Sequence, residues 1–265
     1  MKDILEEIVA HKHTEVAEQK EQMPPRRLYA EVEGMMAEGI ETRSLSRSLA
    51  GNPYGIIAEF KRKSPSKGWI KEEGKPEVIP PAYEKAGAAA LSILTDEAYF
   101  GGCLDFIRKA RPLVSLPILR KDFIVDEYQL FQARHAGADA VLLIAADLTR
   151  QQAGSLTAIA HELRLEVLLE LHAEHELDYA DLPVDAIGVN NRNLGTFVTD
   201  VGNSFRLSAR LPEDKVLVSE SGISNPDTIR LLRQAGYRGF LIGETFMRTD
   251  DPGQTLSDFI AKLSC

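Results

Sequence analysis

Cysteine and long apolar runs are what this sequence has least of. Its two cysteines, Cys103 and Cys265, stand far apart in a chain of 265 residues. That is too few and too distant for the disulfide framework of a small secreted scaffold, and both are expected as free thiols. No stretch approaches the roughly 18 to 20 consecutive apolar residues of a membrane-spanning helix. The opening MKDILEEIV is charged and has no signal-peptide core, so a cytoplasmic protein without a membrane partner is expected. Positive charge is also short: 31 Lys and Arg stand against 40 Asp and Glu, a net charge of -9. Nucleic acid, which is bound through Lys and Arg contacts to phosphates, is excluded as a partner on that balance. An anionic ligand would need a local cationic patch within a repelling overall field. No G-x-G-x-x-G follows an early apolar run, which removes the usual signature of a doubly wound dinucleotide-binding sheet. The six histidines are scattered and no cluster has metal-ligand spacing, so no metal is expected.

What is present is enough apolar residue for one large core, 44% of the chain. Residues 1–47 are rich in helix formers and contain no strand-like run, and Met23, Pro24 and Pro25 divide them into two helices. From residue 55 the pattern changes to short apolar runs separated by helical stretches. The runs are GIIAEFK (55–61), AALSILTD (89–96), LPILRKDF (116–123), AVLLIAA (140–146), EVLLELH (166–172), AIGVNNRN (186–193), KVLVSESG (215–222) and GFLIGETF (239–246). Near-continuous apolarity marks parallel strands covered on both faces, and a spacing of roughly 20 to 35 residues fits a strand, a helix and two loops. The repeated GlyAla before strands, as in AGAAALSI and AGADAVLL, fits helices that end in a glycine cap. The expected fold is an α/β (β/α)₈ TIM barrel, one domain over residues 1–265, carrying the N-terminal helical extension 1–47.

Several of these buried-type strands end in charge: Glu59 and Lys61, Ser92 and Asp96, Lys121, Glu170 and His172, Asn190 and Arg192, Glu220. A barrel of parallel strands carries its active site at the C-terminal face, where such residues fall. Side chains two apart share a face of a strand, which groups Glu59 with Lys61, Glu170 with His172 and Asn190 with Arg192. In ILRKDF (118–123) the same rule turns Leu119, Lys121 and Phe123 toward the barrel mouth and Arg120 and Asp122 toward the helices. A single charged strand end is as often the first solvated loop residue; five or six strands converging on one face form a pattern. His172, as a lone histidine, reads as a packing or hydrogen-bonding residue, and Asp96 and Arg192 suit structural ion pairs as well as ligand contacts. A lysine among carboxylates is held charged, whereas desolvation favours the neutral form; charged it donates protons, neutral it attacks carbonyls.

VSESGIS and FLIGETF end the seventh and eighth runs in glycine turns, the two places where barrels often bind phosphate through backbone N–H groups. The loop KRKSPSKG (61–68) adds cations and hydroxyls and suits a lid over an anion.

Taken in order, IAEFKRKSPSKG, LSILTDEAYFGG, LPILRKDFIVDEYQ, LLELH, IGVNNRNL, LVSESGI and FLIGETFMR resemble the indole-3-glycerol phosphate synthase family across most of the chain. The resemblance implies a cofactor-free lyase of tryptophan biosynthesis whose small phosphosugar substrate, 1-(2-carboxyphenylamino)-1-deoxyribulose 5-phosphate, closes to indole-3-glycerol phosphate with loss of carbon dioxide and water. It implies Lys121 as general acid, Glu170 as general base or acid of later steps, and Lys61 as an anion-binding lysine and second acid. Glu59 and Asn190 would orient these groups. Ser92, Phe123, Arg192, Glu220 and Ser221 match pocket positions, and Ser64, Gly222, Gly243 and Glu244 fall where the family holds phosphate. Glu244 stands where some members have serine, and Trp69 and Cys103 occupy loop positions expected to vary. The N-terminal extension is expected to help close the site. A monomer is expected, associating weakly with other enzymes of the pathway. The rivals from residues alone are another phosphosugar isomerase barrel, a Schiff-base aldolase using Lys121, and a phosphosugar-binding protein without catalysis.

Overall fold

Eight parallel strands close on themselves in the computed structural model, which describes residues 4–193 and 198–264. They are β1 (Ile56–Phe60), β2 (Ala90–Leu94), β3 (Ile118–Lys121), β4 (Ala140–Ile144), β5 (Glu166–Leu171), β6 (Ala186–Asn190), β7 (Val216–Glu220) and β8 (Gly239–Ile242). Each pairs with its sequence neighbour, and β1 pairs with β8 through Ile57↔Leu241 to close the barrel. Every strand falls inside one of the eight apolar runs, and the end of each run lies at or just beyond the end of its strand.

Alternation along the strands separates two apolar cores. Ile57, Leu119, Leu142, Leu168, Val218 and Leu241 fill the barrel, whereas Ile56, Ala58, Phe60, Leu91, Ile93, Val141 and Val167 pack outward against the helices. The barrel filling is a close-packed plug, as expected of a closed eight-stranded sheet.

Helices cross between strands: α4 (Ile79–Lys85), α5 (Leu104–Ala110), α6 (Glu127–Ala136), α7 (Arg150–Glu162), α8 (Gly202–Ser208), α9 (Pro226–Gln234), a short α10 (Glu244–Met247) and α11 (Pro252–Ser264). The expected glycine caps are present: Gly137 ends α6 at φ 91° and donates its N–H to the carbonyls of Ala133 and Arg134, a left-handed conformation that a β-carbon would oppose. Between β5 and β6 the crossover is a 3₁₀ segment, Glu174–Asp181, in place of the expected α-helix. Glu176 turns back to accept from the backbone N–H groups of His172 and Ala173, and Leu182-Pro183 follows the segment at once, so the chain is pinned before a full α-turn develops.

The N-terminal segment contributes three helices, α1 (Ile4–Gln22), α2 (Pro25–Ala37) and α3 (Leu45–Gly51). Pro25 opens α2 at a position where its missing N–H costs nothing. The expected end of the extension, residue 47, falls inside α3, because the i, i+4 pair Leu45 and Leu49 is buried in the barrel-filling cluster. Ser44 caps α3 by accepting from Arg47 N–H at 3.1 Å, and Glu166 at the base of β5 accepts from Ser46 N–H at 2.7 Å. The extension therefore reaches both ends of the barrel: α3 closes the bottom and α1 lies at the mouth. No helix among the described residues is long and apolar enough to cross a membrane.

Candidate active site

A cavity of about 290 Å³ opens at the C-terminal ends of the strands. Polar residues reach it by the two-residue alternation read from the sequence: Glu59 from β1, Lys121 from β3, Glu170 from β5, Asn190 from β6 and Glu220 from β7 all line it. Arg120 points the other way, as expected; Asp122, expected to do the same, pairs with Arg120 but also borders the cavity. Arg120 is spent on Asp122 (2.9 Å), the Gln129 carbonyl (2.6 Å) and Thr95 (3.1 Å).

At the centre, Lys121 Nζ lies 3.2 Å from Glu170 Oε2, and His172 Nε2 lies 3.1 Å from Glu170 Oε1. Burial disfavours the imidazolium, but Glu170 outweighs it and raises the pKa of His172. Burial disfavours the Lys121 ammonium, but Glu170, Glu220 and Glu59 outweigh it and hold the lysine charged above its ordinary range. Burial likewise opposes ionisation of Glu170, and Lys121 and His172 outweigh it, so its carboxylate sits below the usual range. Glu220 goes the other way: burial and the neighbouring Glu170 charge push its carboxyl well up, with Lys121 only partly opposing. Two neighbouring carboxyl groups are thus pushed in opposite directions, Glu170 toward its ionised form and Glu220 toward its protonated form, as like charges at short range favour. On the β1 side Lys61 Nζ is 2.5 Å from Glu59 Oε1, and a second ammonium enters the cavity beside the first.

The two ends of the cavity differ. One is cationic and rich in backbone: Lys61, Arg192 and Arg248 surround Ser221, Gly222, Gly243, Glu244 and Thr245. Ser221 and Gly222 both adopt positive φ, 68° and 76°, a sharp turn that costs a non-glycine residue roughly 1 kcal/mol or more. Asn191, on the outer face of β6, holds that turn by donating to the Ser221 carbonyl and to Ser219 Oγ, both at 3.1 Å. Gly243 has no room for a side chain, because a β-carbon there would overlap the Glu59 carboxylate. Arg192 reaches Ser66 Oγ at 3.3 Å and Glu244 at 3.8 Å, which ties the lid loop over this end. The other end is apolar: Phe123, Phe100, Leu94 and Ile144 meet Ile4, Leu5 and Ile8 of α1. Phe100 and Phe123 stand 6.1 Å apart, centroid to centroid. The loop that carries Phe123 is fixed by Gln129, whose Nε2 donates to the Phe123 carbonyl at 2.8 Å.

Of the residues expected from sequence, Ser92 and Ser64 do not reach the lining. Ser92 is on the inward face of β2 but one rung too deep; Leu94, two residues on, takes the lining position, and Ser92 Oγ is buried without a partner. Ser64 pairs with Gly68 in a two-residue ladder that turns its hydroxyl into the protein, and its neighbours Pro65 and Ser66 line the cavity in its place. Asp96 serves structure, accepting from the N–H groups of Tyr99 and Phe100. Trp69 of the lid loop is half exposed and lies beside the Arg62 guanidinium, 5.2 Å from its centroid. Cys103 is a free thiol that burial pushes up; Cys265 lies outside the described residues.

Sequence reading did not name the α1 side chains or Asp147. Ile4, Leu5 and Ile8 lie on a helix far from any strand end. His172 was expected to pack, and it does so against the Glu170 carboxylate. Asp147, on the turn after β4, is half-buried, with both carboxylate oxygens shielded from solvent and neither hydrogen-bonded, and burial together with Glu170 pushes its pKa up to about 7. An acid whose folded pKa is raised binds its proton more tightly when folded, so the stability it contributes is present in acid and lost as pH rises from about 4 to about 7. Asp147→Asn is expected to remove that loss, at most about 4 kcal/mol. Urea unfolding at pH 5 and pH 8 reads it: the variant's gain in stability over wild type is clearly larger at pH 8 than at pH 5.

Comparison with known proteins follows the same line. Residues 5–259 match the sequence profile of the family described as Indole-3-glycerol phosphate synthase. The chain is 60% identical over 263 residues to the indole-3-glycerol phosphate synthase of Bacteroides thetaiotaomicron, covering 99% of this chain and 100% of the relative. It is 48% identical over 256 residues to that of Neisseria meningitidis serogroup B, covering 95% and 96%, and 44% identical over 263 residues to that of Leptothrix cholodnii, covering 98% and 100%. Among solved structures, a thiamine phosphate pyrophosphorylase from Pyrococcus furiosus superposes with a TM-score of 0.62 at 16% identity, over 83% of this chain and 98% of that one. A chain of the tryptophan synthase a2b2 complex from the same organism does so with a TM-score of 0.59 at 14% identity, over 79% and 97%. At those identities the structural likeness speaks for the barrel alone.

Proposed function

The chain belongs to the indole-3-glycerol phosphate synthase family, and on that premise we propose how its cavity closes the indole ring. The reaction is that of a carboxy-lyase of tryptophan biosynthesis: 1-(2-carboxyphenylamino)-1-deoxyribulose 5-phosphate cyclises with loss of carbon dioxide and water. The two unlike ends of the cavity suit the two ends of this substrate. Its phosphate meets the Gly222 and Gly243 turns with Lys61, Arg192 and Arg248 nearby, and its carboxyphenyl ring meets Phe100, Phe123 and the α1 side chains. Held at both ends, a flexible sugar chain is folded so that its ketone carbon lies against the ring, an entropic saving of the kind that orientation supplies.

Lys121 and Glu170, 3.2 Å apart between those ends, carry the reading. As the ring carbon attacks the ketone, the oxygen gains charge, and the Lys121 ammonium donates its proton to it. Carbon dioxide then leaves from the ring carbon that has become quaternary. Loss of the hydroxyl as water needs an acid at the oxygen and a base for the proton lost from the ring system. Glu170, ionised and facing the cavity, supplies the base. Lys61, held by Glu59, supplies the second acid. Asn190 spends its Oδ1 on the Arg192 N–H at 2.9 Å, which leaves its amide N–H groups for a substrate hydroxyl. Protonated Glu220 adds a neutral donor beside Glu170 without a third negative charge. Indole fluorescence on mixing the protein with this substrate tests the reading: product is expected to appear with one carbon dioxide released per indole, and substrate that binds without forming an indole would overturn it.

A further inference from the structure

Lys12 lies in the middle of α1, on the face that carries Leu5, Ile8 and Val16, and its side chain is completely buried. An apolar residue is what that stripe calls for, and an ammonium there is tolerated only where it is paired. Its Nζ is 2.9 Å from Asp96, 3.0 Å from Asp122 and 2.9 Å from Glu15. Asp96 follows β2 and Asp122 follows β3, so one lysine of the N-terminal helix clamps two successive loops at the mouth.

Each of those two carboxylates has a second task. Asp96 Oδ1 accepts from the N–H of Phe100 at 3.2 Å and of Tyr99 at 2.8 Å. Asp122 Oδ1 accepts from the N–H of Phe123 at 2.9 Å. Phe100 and Phe123 are the aromatic walls of the apolar end of the cavity, and Leu5 and Ile8, two turns and one turn before Lys12 on the same helix face, complete that end. A single buried ammonium therefore touches a support of each of the three walls.

We propose that Lys12 is a positioning residue for the aryl end of the site, setting the gap between Phe100, Phe123 and α1 into which the carboxyphenyl ring fits. The proposal rests on the reading of that end given above. Lys12 touches no substrate. It acts through Asp96 and Asp122, and its loss would widen the aryl end while leaving the Gly222 and Gly243 turns, on the opposite side of the mouth, as they are.

Lys12→Met keeps length and apolar fit but strands Asp96, since Asp122 retains Arg120. The double variant Lys12→Met with Asp96→Asn relieves that charge and serves where the single variant folds poorly. Two ligands separate the ends: glycerol 3-phosphate for the cationic end and N-methylanthranilate for the apolar end, each titrated by calorimetry, beside steady-state kinetics with the full substrate. The expected result is a rise of about tenfold or more in KM and in the N-methylanthranilate Kd, with glycerol 3-phosphate affinity within about twofold and kcat reduced less than KM is raised. A folded variant with unchanged KM overturns the proposal. So does equal weakening of both ligands, which would mean general loosening of the mouth. Wild-type protein that binds glycerol 3-phosphate but no N-methylanthranilate overturns the assignment of the aryl end itself, and Lys12's role with it.

Discussion

Lys121→Ala is expected to lower kcat for indole formation by at least about 10³-fold, while affinity for glycerol 3-phosphate stays within roughly twofold. The ammonium faces the middle of the cavity, and its acidic neighbours, Glu170 foremost, outweigh its burial and hold it charged. A lysine held charged is a proton donor and a poor nucleophile, which favours the acid over the Schiff-base role among the alternatives the sequence left open. Removing it takes the donor from the alkoxide as the new bond forms, a contribution that positioned acids commonly make at about 10²- to 10⁴-fold. It also leaves Glu170 facing His172 and Glu220 alone, so the base loses the cation that keeps it ionised and a second step suffers. Phosphate binding depends on the turns after β7 and β8, which Lys121 does not touch. Steady-state kinetics and calorimetry on one preparation read both quantities, and substantial turnover in the variant would remove Lys121 from the mechanism.

Glu170→Gln is expected to cut kcat about 10²- to 10⁴-fold with KM changed by no more than roughly threefold. The split between the two constants follows from the charge in the cluster. In the wild-type protein burial and the neighbouring Glu170 push the Glu220 carboxyl up. A neutral amide at position 170 removes the second of these causes and eases ionisation of Glu220 beside Lys121. The amide keeps the shape of the side chain, so substrate still binds, but any carboxylate then sits on β7 instead of β5, away from the proton assigned to Glu170. A variant whose only defect is a raised KM would contradict this.

How much of this was legible beforehand depends on the range of the interaction. Strand ends and alternation are local, so Glu59, Lys121, Glu170, Asn190 and Glu220 could be assigned to the mouth as the polar residues that close apolar strands, and parity sent Arg120 to its outside; Asp122, sent outward by the same rule, borders the cavity all the same. Depth along a strand is not given by parity. Ser92 has the right face and the wrong rung, one level below Leu94. Ser64 failed differently: its hydroxyl direction is set by a two-residue ladder with Gly68, too short to leave a periodic signal. Residue 47 falls inside α3, since Leu45 and Leu49 belong to the barrel floor and only tertiary packing reveals that floor. Lys12 is the clearest case of a non-local contact. In the sequence it is a charged residue in a charged helix; only the docking of α1 against Asp96 and Asp122 makes it buried. His172 and Asp147 gain their meaning from the single ionised carboxylate of Glu170, which a lone histidine and a loop aspartate do not announce.

The central claim is that Lys121 works as a proton donor in ring closure. The most direct test mixes wild-type protein and substrate in the presence of cyanoborohydride, follows indole fluorescence, and then measures the mass of the peptide containing Lys121. The predicted result is indole formation at an undiminished rate with Lys121 unmodified. A reduced substrate adduct on Lys121, with fluorescence suppressed as it accumulates, would show that the lysine attacks carbon and would contradict the account.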